Sequence, residues 1–500
     1  MIKIGYTAIL ALSVLLLPNA CSKSHQQEQK APTKRVIVKK TFVTLPDTAY
    51  PSVQSVRWSV DLADSLPQDI NGYTNYYNGK DVLTFRKTLL RDADFHGTVS
   101  GSPDTIEVAW RFDTEYNKEK TKYGIWGGGS GWTGQPLYLS KINEIVVGSL
   151  AGKVYFIDFA TGKASRDPLD ATNTIKGTVS KDPVLNNLYV GQGVPNHQPF
   201  GNMVFDLNKH QLTCFNGRDP KALRGWNAWD SSPVVVGGYL FWPGENGSVY
   251  KYRRTQGKIT PAAVLRYTVN GCAPGIENSL CVYANYGFFG DNHGNILCIN
   301  LNNMHPIWYY DNSDDIDATI ACEPQKGVPY IYVASEVDKQ GMTGVAHLAK
   351  LNGLNGKCVW KRDFPCKRLT IGSKTLDGGF YATPLLGKGD CKDMLFANIC
   401  RNGDWGGQML AISKRDGTVS HTTQLNQFAW SSPVAFYNEH HQMYILTGDS
   451  GGYIYLIKGK TGEIIYKKRI AYNFESSPVV IGNTAVVGSR QNGIFKLVVK

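Results

Sequence analysis

The chain has 500 residues, of which 42% are hydrophobic, 11% aromatic and only 19% charged. So little charge beside so many aromatic side chains excludes an intrinsically disordered chain or a long coiled coil. Its 52 glycines and 27 tyrosines point to a turn-dense all-β protein, and the net charge of +12 favours anionic surfaces without naming one.

Residues 1–20 read as an export signal, with Lys3 as the positive start, Ile9 to Leu17 as the apolar stretch and Ala20 as the small residue before a cut. That stretch is too short to cross about 30 Å of hydrocarbon. Leu17-Pro18-Asn19-Ala20-Cys21 resembles a bacterial lipoprotein box, which implies lipidation of Cys21. Ser22 after it is, by the same resemblance, what an outer-membrane-bound lipoprotein shows. Residues 21–46 are polar and basic, a tether rather than a fold. Residues 47–104 form an N-terminal extension. Nine cysteines follow Cys21; Cys272/Cys281, Cys358/Cys366 and Cys391/Cys400 are spaced to clip short loops, and no CxxC is present for a zinc ribbon or a thioredoxin-type site.

From residue 105 onward the sequence repeats. A small or polar residue, then proline, then an apolar run recurs at Gln135-Pro136, Asp182-Pro183, Ser232-Pro233, Thr383-Pro384, Ser432-Pro433 and Ser477-Pro478, with Asn278-Ser279-Leu280 and Glu323-Pro324 filling the gaps. Anchors at 136, 183, 233, 279, 324, 384, 433 and 478 stand 47, 50, 46, 45, 60, 49 and 45 residues apart. A strand-rich period of about 40–50 residues is that of propeller blades, so eight anchors predict an eight-bladed β-propeller over 105–500. Within each unit a Gly-rich turn follows (Gly148–Gly152, Gly244–Gly247, Gly448–Gly452), then a third turn such as Thr161-Gly162 or Thr461-Gly462. A large aromatic in the last strand comes next, as at Trp360 and Tyr466. The eighth unit has room for only three strands. Residues 105–113, carrying Trp110, are therefore expected to close the ring as its fourth.

This repeat resembles that of the quinoprotein-like (PQQ-type) β-propellers. The resemblance implies either a dehydrogenase, with a planar quinone (PQQ) stacked between a tryptophan and a disulfide of adjacent cysteines and calcium on carboxylates and amides, or a non-catalytic lipoprotein similar to the BamB-type outer-membrane assembly factors. The adjacent cysteine pair that would form that disulfide is not in this sequence.

Local motifs weigh less than the repeat. Gly448-Asp449-Ser450-Gly451-Gly452 copies a serine-protease signature but falls at the same hairpin turn as other units. Asp311 to Asp317 alternates oxygen ligands like a calcium loop, yet an EF-hand would need glycine where Ile316 stands and glutamate where Cys322 stands. His440 and His441 are adjacent, and neighbours on a strand face opposite ways. Basic residues are dispersed, which argues against nucleic acid. Recognition remains, and residues just ahead of the anchors are expected at one channel mouth: Trp132, Trp229, Asp230, Tyr381, Trp430 and Glu475. Trp126, in the glycine-dense stretch Gly124–Gly134, and Trp405, in the insertion Gly387–Gly407, complete the partner-binding candidates. Trp132 and Trp229 share a position with Phe380 and Phe474, as blade-to-blade packing would require. The expectation is a monomeric ring, lipid-anchored in the cell envelope on the periplasmic face of the outer membrane. It binds a protein partner there and uses no catalytic residue, metal or cofactor. The rival is a PQQ- and calcium-dependent dehydrogenase, and a third reading is a glycan-binding surface lipoprotein.

Overall fold

The computed structural model describes residues 44–63, 70, 75–372, 374–402 and 406–500. The chain divides into units 1–41 and 42–500, and the described fold belongs to the second. The export signal, Cys21, the tether up to residue 43 and Trp405 lie outside the described residues. No described helix is long and apolar enough to cross a membrane.

Eight antiparallel sheets form the blades of a β-propeller. Blade 1 runs from Leu137 to Asp170, blade 2 from Ser180 to Asn216 and blade 3 from Val234 to Val269. Blade 4 runs from Cys281 to Asp311, blade 5 from Ala321 to Lys367 and blade 6 from Leu385 to Gln424. Blade 7 spans Val434 to Arg469, and blade 8 is built from Val479 to Val499. The last blade takes its outer strand from Ile106–Asp113, whose Ile106 pairs with Val499 and Asp113 with Gly493. Ring closure by the N-terminal side of the propeller is therefore as expected, and it leaves no open seam.

Three anchors need correction. Strand register aligns Ser180, Cys281 and Ala321 with Leu137 and Val434, so the anchor positions of blades 2, 4 and 5 are Val179, Leu280 and Ile320 rather than 183, 279 and 324. Pro183 instead follows Asp182 in a turn where the Asp182 carboxylate accepts from the Val184 and Leu185 N–H groups, both at 2.8 Å. The feature that recurs is the hydroxyl before the anchor. The Gln135 N–H donates to Thr178 Oγ1 at 2.9 Å, Ser232 N–H to Ser279 Oγ at 2.8 Å and Ser279 N–H to Thr319 Oγ1 at 3.0 Å. Thr383 N–H donates to Ser432 Oγ at 3.0 Å, and Ser432 N–H to Ser477 Oγ at 3.1 Å. At these five joints one blade satisfies a buried donor of its neighbour.

Tryptophans lock the outer strands. The indole N–H groups of Trp110, Trp308 and Trp360 donate to carbonyls of the next blade's third turn, those of Phe159, Gly353 and Lys414, at 3.0, 2.8 and 3.0 Å. Their rings lie against Gly162, Gly356 and Gly417, each at positive φ, where a Cβ would strike the indole.

The extension is part of the ring. Val56–Leu62 adds a fifth strand outside blade 3, Val82 bridges to Tyr138 of blade 1, and Gly97–Thr98 pairs in parallel with blade 7. Between them, residues 84–91 plug the channel. Arg86 Nη1 and Nη2 donate to the Pro433 and Pro384 carbonyls at 2.9 and 3.0 Å, and Arg91 donates to the Leu280 and Ser232 carbonyls at 2.9 and 3.1 Å. Both guanidinium groups are fully buried, and burial pushes Arg86 down to about 9 and Arg91 to about 10, so both remain charged at neutral pH. All nine described cysteines are free thiols, so none of the three short-range clips is formed.

Candidate functional site

With the anchors corrected, one repeat position explains the open mouth. Three residues ahead of the eight anchors stand Thr133, Lys176, Asp230, Glu277, Asp317, Tyr381, Trp430 and Glu475. The position one earlier is Trp132, Ile175, Trp229, Ile276, Ile316, Phe380, Ala429 and Phe474, all buried between blades. Packing at the first of these two positions fixes the chain, and the next residue is turned towards the axis.

The axial pocket at this mouth has a volume of about 360 Å³. Trp126, Trp132, Tyr381, Trp430 and Glu475 all line it, with Lys176, Glu277, Asp315, Asp317, Glu336, Asp338, Asp377 and Arg490. Asp230 lies fully buried behind Lys176. Trp229 does not line this pocket; it packs at 5.4 Å from Trp242 and 5.2 Å from Tyr250 in blade 3. The stretch Gly124–Gly134 carries Trp126 across the top of blade 8. A Cβ on Gly129, at φ +69°, would overlap the Ser489 carbonyl, so close backbone approach accounts for its glycine density. Arg490 stacks over Trp126 at 5.4 Å and pairs with Glu475 at 3.4 Å, while Tyr381 and Trp430 stack on one another at 4.8 Å.

The carboxylates form two triads, Asp230–Glu245–Glu277 and Asp315–Asp317–Glu336, each with its oxygens within 4.8 Å of one another. The first holds an internal cation: Lys176 Nζ is paired with Asp230 and lies 3.7 Å from Glu277. Burial opposes the Lys176 charge, but Asp230, Glu277 and Glu245 outweigh it and hold the ammonium well above its usual range. The second triad is only edged by cations. Lys339 reaches Asp315 at 3.0 Å and Asp338 at 3.2 Å, and Arg368 pairs with Asp338 and Asp377. Burial, then Glu277 and Asp315, raise Asp317 well above a normal carboxyl, and burial with Asp317 does the same to Glu336. Asp315 is raised to about 7 by burial, with Lys339 opposing. Glu336 Oε1, Asp317 Oδ1 and the Trp132 indole N–H have no hydrogen-bond partner among the described residues.

The Asp311–Asp317 stretch is therefore not an EF-type loop. Asp314 is spent on the N–H groups of Asp338 and Lys339, at 3.0 and 3.1 Å. Asp315 and Asp317 are completed by Glu336, whose strand lies in the blade 5 insertion. Asp449 likewise caps its own hairpin, accepting from the Gly451 N–H at 2.9 Å and the Tyr455 hydroxyl at 2.6 Å. Sequence reasoning missed Lys176, Glu277, Glu245 and Glu336. The first two were recoverable from the hydroxyls Thr178 and Ser279 once these replaced proline as the marker.

The fold and site define an eight-bladed, quinoprotein-like β-propeller with one mouth plugged and the other opening on a carboxylate-rich, aromatic-walled pocket. No protein-family profile and no curated protein sequence matches the chain. Solved structures similar to it include the quinohemoprotein alcohol dehydrogenase of Comamonas testosteroni, with a TM-score of 0.59 at 12% identity over 84% of this chain and 80% of that one. A europium-containing methanol dehydrogenase gives a TM-score of 0.58 at 12% identity over 84% and 91% of the two chains. BamB of Moraxella catarrhalis gives 0.49 at 12% identity over 79% and 98%. At these identities the likeness to the dehydrogenases is one of fold.

A quinone such as PQQ would meet a largely acidic lining here. PQQ carries three carboxylates, whereas the lining offers seven acids (Glu277, Asp315, Asp317, Glu336, Asp338, Asp377, Glu475) against Lys176 and Arg490, both already paired. The stacked Tyr381–Trp430 pair also turns two aromatic faces towards each other rather than to a ligand. Carboxylate oxygens suit a cation.

Proposed function

We propose that this protein is an exported binding propeller, held in the cell envelope by a lipid on Cys21, whose axial pocket receives a basic side chain of a protein partner. The observation that carries this reading is the pair of neighbouring triads, one holding the chain's own Lys176 ammonium and the other met by a cation, Lys339, at Asp315 alone, which leaves Asp317 and Glu336 without an ion-pair partner among the described residues. An ammonium or guanidinium entering the second triad passes a mouth lined by Trp126, Trp132 and Trp430. Neutralising Asp317 and Glu336 removes the like-charge repulsion that burial makes costly. Rigid propeller loops around such a mouth suit surface recognition.

Calorimetric titration of the full chain at pH 8 tests this with three probes: a short peptide alternating glycine and lysine, calcium chloride, and PQQ with calcium. The peptide is expected to bind saturably and to lose at least tenfold in affinity in the Asp317→Asn variant. Calcium binding without peptide binding would replace the partner by a metal. PQQ uptake with reduction of an electron-accepting dye would replace the scaffold by a dehydrogenase. Anchoring is read separately, as incorporation of labelled fatty acid that Cys21→Ser abolishes.

A further inference from the structure

Two of the free thiols meet across a joint between blades. Cys281 opens the inner strand of blade 4, and Cys322 is the second residue of the inner strand of blade 5. Side chains alternate along a strand, so a difference of one residue decides which side each sulfur takes. In blade 4, Leu280 and Val282 pack with the core of blade 3, whereas Cys281 packs in the cluster shared with blade 5. In blade 5, Ala321 packs towards blade 6, whereas Ile320 and Cys322 return to that same shared cluster. The two cysteines thus enter one buried space from opposite sides. The plug residue Leu90 touches both: its carbonyl accepts from the Cys322 N–H at 2.9 Å and from the Cys281 thiol at 3.5 Å. The thiols are also hydrogen-bonded to one another. A thiol has one proton to give, and that of Cys281 goes to Leu90, so Cys322 is the donor to the Cys281 sulfur.

We infer that Cys281 and Cys322 are a disulfide-forming pair that fastens blade 4 to blade 5 beneath the plug. The oxidant is a small or protein disulfide of the kind met outside the cytosol. The thiolate of one cysteine attacks it and releases one of its sulfurs as a thiol. The second cysteine then attacks the mixed disulfide and releases the other. One S–S bond forms in the chain as one breaks in the oxidant, which takes up two electrons and two protons. Burial and the neighbouring sulfur hold the Cys322 thiol well above its usual range, so the exchange belongs to the stage before this joint closes. The link closes a loop of 41 residues, long enough to restrict the unfolded chain substantially. It also covalently joins two blades that otherwise meet through apolar packing and the bond from Ser279 N–H to Thr319 Oγ1. The pair is separate from the axial pocket, and its test does not depend on what enters there.

The full chain is refolded from concentrated urea in reduced glutathione alone, or in a mixture of reduced and oxidised glutathione, and its free thiols are then alkylated. It is also recovered, without refolding, from a bacterial periplasm. Mass spectrometry counts the alkylated thiols, and chymotryptic peptides kept under non-reducing conditions identify the link. The chain from the mixture should carry two fewer alkylated thiols than the reduced chain, with Cys281 and Cys322 in one linked pair of peptides. Its melting temperature should stand a few degrees higher, a gain that reduction abolishes. Cys298→Ala, in the same buried cluster, should keep the link, and Cys322→Ala should lose both the link and the gain. If either variant fails to fold, the linked peptides of the unsubstituted chain decide alone. Equal thiol counts in the two refolded chains, with no link in the periplasmic one, overturn the inference. So does a link that joins other cysteines instead.

Discussion

At the scale of single residues, the axial pocket sets a pH dependence whose sign follows from burial. Asp317 and Glu336 sit well above ordinary carboxyl values and Asp315 at about 7. Unfolded, all three would titrate near pH 4. Between about pH 4 and pH 7 the folded protein therefore binds more protons than the unfolded chain, and stability falls as pH rises through that window. The melting temperature of the ligand-free protein should decline from pH 5 to pH 8. Asp317→Asn, which keeps the shape and deletes the charge, should flatten that decline and stabilise the protein at pH 8 by on the order of 1 kcal/mol. Scanning fluorimetry across a pH series checks both statements, and parallel curves for the two proteins would show that Asp317 carries no excess proton. The same protons link to binding: a cation displaces them, so peptide affinity should rise with pH over this range.

At the scale of elements, the plug is the feature whose loss is most costly. Arg86 joins the anchor carbonyls of blades 6 and 7 from inside the channel, across 298 and 347 residues of sequence. Arg86→Met would leave both carbonyls buried without donors, which places the expected loss at about 2–4 kcal/mol in urea unfolding. Arg86→Lys should recover only part of it, because a single ammonium cannot span two acceptors as the planar fork does. This element also marks where sequence reading stopped. Blade count, the closing strand and the turn glycines were legible because each is a local signal repeated at one phase. The anchors of blades 2, 4 and 5 were misplaced because only a hydroxyl recurs there, at Thr178, Ser279 and Thr319, and hydroxyls are common elsewhere. That displacement by one to four residues hid Lys176 and Glu277 among ordinary loop residues and left Asp317 inside a stretch that read as a calcium-like loop. Glu336 comes from an insertion with no counterpart in other blades. The Arg86 and Arg91 contacts have no period at all, so nothing in a self-comparison exposes them.

At the scale of the whole molecule, the ring either closes or fails as a unit, because each blade depends on the next. The hydroxyl belt and the tryptophan locks join neighbours only, so a closed circle has no terminal blade, whereas an opened one has two. The joint between blades 8 and 1 is made by Ile106–Asp113 against Gly493–Val499 and by Trp110 against the turn at Gly162. Removing residues 491–500 deletes one side of that joint. It exposes the buried edge of Thr484–Gly488 and leaves Ile106–Asp113 without a partner. If stability were a sum of local terms, as in open repeat arrays, only blade 8 and its neighbours would exchange amide hydrogens faster, and blades 3 to 5 would keep their protection. The plug argues against that outcome. Arg86 and Arg91 reach blades 3, 4, 6 and 7 from a single segment that enters the ring next to the closing strand. Hydrogen exchange of the truncated chain should therefore show faster exchange in every blade, with a melting transition lowered and broadened rather than split in two. Protection retained at native level in blades 3 to 5 would mean that the closed circle contributes little to their stability.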